Sequence, residues 1–120
     1  MPAVSIERTD IGAELVVSLT RDERWLGLLR DLRVPVSSIS AVTVVPDGRR
    51  AAHGLRAPGL GGPQRLIGTW RAKRDKQYVC VRRGQPAVKV TLDHERYRTV
   101  LVGLDDAERV AAEIRSAAGF

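Results

Sequence analysis

The chain contains a single cysteine, Cys80. No internal disulfide can form, so nothing points to an oxidising, secreted setting. Aromatic residues are nearly as scarce, with only Trp25, Trp70, Tyr78, Tyr97 and Phe120 present. A core must therefore be assembled from Val, Leu, Ile and Ala. No apolar run approaches the ~18 residues that a transmembrane helix needs. The opening "MPAVSIERTDIG" also lacks the basic stretch and long apolar run of a signal peptide. These absences predict a cytoplasmic protein with no transmembrane segment. Histidine is limited to His53 and His94, each isolated from the cysteine in sequence. Metal sites need several such side chains converging, so neither a metal nor a cofactor is expected.

What is present is a chain of 120 residues with a hydrophobic share of 43%. That length and composition predict one globular domain over residues 1–120. Arginine outnumbers lysine 17 to 3, a bias typical of GC-rich bacterial genomes. The net charge of +6 is unevenly spread. Residues 1–48 carry 5 positive and 7 negative charges, and residues 84–120 carry 5 and 6. Residues 49–83 carry 10 positive charges against Asp75 alone. A field concentrated in this way can steer an acidic partner. Arginines along strand edges also keep sheets soluble, so the charge alone does not choose between the two roles.

Period-2 alternation runs through the chain and predicts strands. "ELVVSLT" sets Leu15, Val17 and Leu19 on one face, and "AVTVV" sets Val42 with Val44. "RLIGTWRA" aligns Leu66, Gly68 and Trp70, and "QYVCVRR" sets Val79 and Val81 against Tyr78, Cys80 and Arg82. "AVKVTLD" directs Val88, Val90 and Leu92 inward, with Lys89 and Thr91 outward. "RTVLVGL" aligns Val100, Val102 and Leu104. Short strands are expected at Val4–Glu7 and Leu32–Val34. "TDIGAE" and "DHERY" read as turns, and "RRGQP" (Arg82–Pro86) reads as a hairpin turn. Arg21–Leu29 fits a short helix with Trp25, Leu28 and Leu29 on one face.

The C-terminus carries the strongest helix pattern. Asp105 is placed to cap it, with Glu108 three residues on in a capping-box arrangement. Ala107, Val110, Ala111, Ile114 and Ala117 form an apolar stripe, and Gly119 is a natural stop. Arg109, Glu113 and Arg115 fall on the opposite face. Pro46–Gln64 is the one long stretch without a pattern, with 8 of 19 residues Gly or Pro. Long irregular stretches in compact domains are usually functional or disordered.

The segments "LRVPVSSISAVTVVPD" (Leu32–Asp47), "GLRAPG" (Gly54–Gly59), "GTWR" (Gly68–Arg71), "RRGQPAVKVTLD" (Arg82–Asp93) and the closing "LDDAERVAAEI" together resemble a group of small bacterial proteins of undefined function with a pleckstrin-homology-like (PH-like) domain. The resemblance implies a mainly β protein with a C-terminal α-helix, a PH-like barrel or sandwich of about seven strands capped by one helix. Where such chains often carry a second Pro-Gly pair, this one reads "LGGPQ". Lipid-headgroup-binding members cluster Lys and Arg in the first hairpin. Here that hairpin is the acidic "ERTDIGAE", which disfavours inositol-lipid binding in the usual pocket.

No pattern of catalytic chemistry emerges. "GLGGPQRL" lacks the Lys-Ser/Thr of a phosphate loop and precedes a strand instead of a helix. No G-x-S-x-G is present, and Ser37, Ser38 and Ser40 read as turn or strand-start residues. Cys80 lies between two valines and reads as a small buried hydrophobe. The expectation is a non-enzymatic module for protein–protein contact or self-association, homo-oligomers included. The alternative is an anionic-ligand module, for nucleic acid or an acidic membrane surface. Its candidate surface comprises Arg49, Arg50, His53, Arg56, Arg65, Arg71, Lys73, Arg74 and Lys76.

Overall fold

A computed structural model describes residues 3–10, 12–21, 31–47, 55–61, 65–72, 75–82, 84–93 and 95–119. At Thr9, 55–61, 65–67, 69–72 and 75 it describes the backbone alone. The predicted helix over Arg21–Leu29, with Trp25, lies outside the described residues beyond Arg21 itself. So do Ile11, His94 and Phe120.

Alternating apolar residues form strands because the pleat sends successive side chains to opposite faces. Nine strands are described: β1 (Ala3–Thr9), β2 (Gly12–Ser18), β3 (Leu32–Pro35), β4 (Ile39–Val45), β5 (Leu55–Gly61), β6 (Arg65–Ala72), β7 (Asp75–Arg82), β8 (Ala87–Leu92) and β9 (Thr99–Gly103). A 3-10 turn at Val36–Ser38 precedes β4, and helix α1 (Ala107–Ala118) closes the chain. The first sheet has the order β1-β2-β3 and the second β4-β8-β9-β7-β6-β5. No hydrogen-bonded strand pair joins the two sheets among the described residues, so they form no closed barrel there.

Eight of the nine fall on segments whose pattern predicts strands, and the ninth is Leu55–Gly61, which the sequence reads as irregular. A shift in register between Arg56 and Gly59, around Pro58, lets the proline sit in an edge strand. The second departure is in connectivity. Arg82–Pro86 links β7 to β8 but makes no hairpin, because β9 inserts between them. β9 pairs antiparallel with β8 and parallel with β7.

That insertion explains the core. One face of the larger sheet places Val42, Val90, Val100 and Tyr78 abreast, with Val88, Val102 and Cys80 in the next row. These residues join Leu15, Val17, Leu19, Val34, Ile39, Leu92, Leu104 and the α1 stripe in the main core. The other face holds a second cluster of Val79, Val81, Ala87 and Leu101. A central strand covered on both faces needs apolar residues at every position. All five residues of β9 are accordingly buried. The alternation read in "RTVLVGL" captured only half of this, because Leu101 is as buried as Val100 and Val102.

α1 lies across β1, β4 and β8, so it touches both sheets. Its N-cap is Asp106, and no side chain caps it. The expected capping box is not formed. The Asp105 carboxylate instead accepts a hydrogen bond from Gln85 Nε2 at 3.0 Å, and Asp106 is held by Arg109. Ala107, Val110, Ala111 and Ile114 are buried as the stripe requires. Ala117 is exposed, and Ala118 packs on the core in its place. Gly119 adopts φ 83° and ends the helix, its N–H donating to Arg115 and Ser116 carbonyls.

Candidate binding surfaces

A sheet's edge carries unpaired backbone donors and acceptors, which proteins normally cover or blunt. The β4 edge is covered at Val42. Arg115 reaches from α1 and donates through Nε and Nη2 to the Val42 carbonyl, at 3.3 and 3.1 Å. The sequence pattern placed Arg115 on the solvent face, but it is half-buried, and both of its bonds to the Val42 carbonyl are partly buried. The β3 strand is short and ends at Pro35, and its Arg33 is clamped between Glu7 (2.7 Å) and Glu14 (3.3 Å). Those two carboxylates, Glu7 foremost, raise the Arg33 pKa further.

The β1 edge is different. Among the described residues its backbone bonds only to β2, so alternate N–H and C=O groups point away from the sheet. They open on a groove of about 530 Å³ between β1 and α1. Val4, Ile6 and Ala117 give it apolar wall, Ser5 and Ser116 give hydroxyls, and Arg8 and Glu113 give charge. Sequence reasoning missed this groove, because nothing local to β1 announces that a helix more than a hundred residues later runs beside it.

The basic candidates divide. Arg49, Arg50, His53, Lys73 and Arg74 lie outside the described residues. Arg56 stands opposite Trp70, whereas Arg71 stands opposite Lys76 and Arg65 opposite Arg82. Alternation therefore puts the Arg65, Arg71, Lys76 and Arg82 positions on one face of the β6–β7 ladder and the Arg56 position on the other. The two like-charge pairs are six residues apart along β6, about 20 Å. Between them lie Cys80 and Tyr78, 3% and 1% exposed. The candidates are thus not one continuous patch, since a buried stretch separates the two ends. Tyr78 cannot serve as a stacking platform.

One end gains cations that the sequence reading omitted. Arg98 N–H donates to the Lys76 carbonyl at 2.9 Å, one position before the parallel Gln77–Thr99 pair. Arg71, Lys76 and Arg98 thereby occupy matching positions on β6, on β7 and immediately before β9. Arg96 lies over the Tyr97 ring, 5.7 Å from its centroid, and Tyr97 meets Tyr78 edge-on at 5.3 Å. The nearby Glu95 carboxylate accepts a hydrogen bond from Ser38 Oγ at 2.8 Å. Parallel pairing between β7 and β9 was the missing information, since without it Arg98 belongs to a different turn.

A second concavity of about 480 Å³ lies at the start of α1, between Val44, Pro46, Pro86 and the acidic run Asp105, Asp106 and Glu108. Arg109 pairs with Asp106 and with Glu113 there, and the Asp106 pair holds the Asp106 carboxyl below its ordinary range. Cys80 is buried within the main core and takes part in no disulfide. No group of three His, Cys, Asp or Glu residues suited to a metal ion occurs among the described residues, and no helix among them is long and apolar enough to cross a membrane.

Comparison with protein-family models, curated proteins and solved structures finds no match to this chain.

Proposed function

We propose that the chain is a non-enzymatic PH-like module that binds a protein segment, or a second copy of itself, by strand addition. The observation carrying this reading is the contrast between two edges bordering the same helix. At the β4 edge Arg115 from the helix occupies the Val42 carbonyl, while the β1 edge faces an open groove. An added strand takes its affinity from the backbone ladder and its specificity from alternate side-chain contacts. Val4, Ile6 and Ala117 suit apolar contacts, and Ser5, Ser116, Arg8 and Glu113 suit polar ones. Support for the PH-like assignment comes from the order of strands followed by a terminal helix and from the resembling segments.

A random-peptide display selection tests the reading. Selected peptides should shift the amide resonances of Val4–Arg8 and of Ser116 and Ala117, and Ala117→Trp should abolish binding by filling the groove. If no peptide binds, light scattering at two salt concentrations tests the self-association arm. A dimer driven by burial persists at high salt. A salt-independent monomer that binds no peptide would sink the reading.

An anionic ligand is the second reading. Two like-charge pairs stand directly opposite each other in the β6–β7 ladder. Such pairs destabilise a bare sheet, and an anion at either pair would relieve the repulsion.

A further inference from the structure

We infer that the sheet end formed by the Arg71, Lys76 and Arg98 positions, with Tyr97 and Arg96 beside them, binds a single-stranded nucleic acid. The inference rests on the anionic-ligand reading, not on strand addition at β1. Three cationic positions lie side by side, on β6, on β7 and immediately before β9, spaced about 4.8 Å apart. The register fixes the Arg71–Lys76 step, and the Arg98 N–H bond to the Lys76 carbonyl fixes the next. Neither Lys76 nor Arg98 forms an ion pair among the described residues. Glu95, the acidic residue beside them, is engaged by Ser38.

A row of charges running across the strands suits a chain of regularly spaced phosphates. Charge alone would equally attract an acidic peptide or an anionic bilayer. The aromatic group decides between them. Single-stranded nucleic acid is held by cations together with rings or guanidinium planes on which bases stack. Tyr97 is half-buried, braced edge-on by Tyr78, and carries the exposed Arg96 guanidinium over its ring. Tyr97 packs on the main core and holds Arg96 over its ring, so the plane offered to a base is the Arg96 guanidinium, two residues from Arg98. A bilayer contact would gain more from an exposed apolar wedge, and the described residues Tyr97, Arg96, Arg98 and Lys76 provide none.

The test uses fluorescence anisotropy of a labelled oligothymidylate of about 16 nucleotides, the upper end of site sizes for small single-strand modules. Three phosphate contacts predict that log K falls against log[salt] with a slope near −2, at about 0.7 per contact. Lys76→Gln with Arg98→Gln removes two contacts. The slope should shrink by about 1.4, and low-salt affinity should fall at least tenfold. Lys89→Gln with Arg109→Gln removes the same charge elsewhere and should leave the slope unchanged. Tyr97→Leu should weaken binding severalfold at constant slope, and Arg98→Lys made in place of Arg98→Gln should keep that contact's share of the slope, about 0.7. Thermal melts of each variant separate loss of binding from loss of fold. If Tyr97→Leu unfolds the protein, Arg96→Gln serves as the stacking variant.

Equal losses in the two double variants would show binding by net charge only and overturn the site. Unchanged affinity with the stacking surface removed would overturn the single-strand assignment. Site-dependent binding to phosphatidylserine vesicles or to polyglutamate, with none to the oligonucleotide, would also overturn it. If the wild-type chain binds none of the three polyanions, the anionic-ligand reading itself falls.

Discussion

At the scale of single residues, burial on both sheet faces sets what each position tolerates. Val90 is 2% exposed and sits between Val42 and Val100 in the main core. Val90→Asp would place an unpaired carboxylate there, at a cost on the order of 3–5 kcal/mol. Lys89 is only partly covered, and Lys89→Glu should change stability by less than about 0.5 kcal/mol. Urea titration of the two variants checks the register, and matching midpoints would contradict it. Gly103 is constrained differently. A Cβ added there would lie 2.5 Å from Gln85 Oε1 and 3.3 Å from the Val81 Cα. Gln85 is tied to Asp105 and has little room to withdraw. Gly103→Ala should therefore destabilise by about 1–3 kcal/mol, and Gln85→Ala in the same background should recover part of that loss. Asp106 offers a titration test. The Arg109 hydrogen bond lowers its pKa below the ordinary 3.8. A carboxyl depressed in the folded state contributes stability above its unfolded pKa and loses it as pH falls through the folded value. Arg109→Gln should raise the Asp106 pKa towards 3.8, read by NMR, and reduce the pH dependence of stability below that point.

At the scale of elements, what the sequence could reveal depended on whether one or both faces of a strand are covered. β4 and β8 show alternation and were legible, because each has one face in the main core, whereas β2 buries Val16 as well as Leu15 and Val17. β7 and β9 are covered on both faces, so the alternation that set Val79 and Val81 against Tyr78 and Cys80, and Leu101 against Val100 and Val102, did not separate buried from exposed positions. The continuous "TVLVG" of β9 was the available signal for a central strand. β5 was illegible because its glycines and Pro58 read as loop, although an edge strand accommodates both. The binding surfaces depend on pairings between segments distant in sequence. Arg98 meets Lys76 only through the parallel β7–β9 ladder, and Arg115 meets Val42 only through the helix crossing. Arg115 is therefore the element-scale test. Arg115→Met keeps the stem but leaves the Val42 carbonyl without that donor. The expected cost is about 1–3 kcal/mol for an acceptor left unsatisfied. The exposed β4 edge should also promote concentration-dependent association, measurable by sedimentation velocity. A monomeric variant with wild-type stability would show that the edge needs no cover.

At the scale of the whole molecule, the two sheets depend on α1 as their common contact. Val110, Ala111 and Ile114 sit in the main core with Leu15 and Val17 from one sheet and Val88, Val90 and Val102 from the other. Ile114 and those five sheet residues line a small apolar cavity with Val4 and Val100, of about 10 Å³, so the packing there is already close to complete. A 12-residue helix is marginal on its own in water, and neither sheet would keep its inner face covered without it. Removing residues 105–120 should therefore do more than subtract the helix. It would uncover apolar surface on both sheets, free the Val42 carbonyl and open the β1 edge along its length. The truncated chain is expected to lose cooperative thermal unfolding and to aggregate, with dye binding that marks exposed apolar surface. The alternative is specific and measurable. If the truncated chain stays soluble and melts cooperatively, the sheets pack without α1. The helix would then be a separable interaction arm that supplies one wall of the groove beside β1.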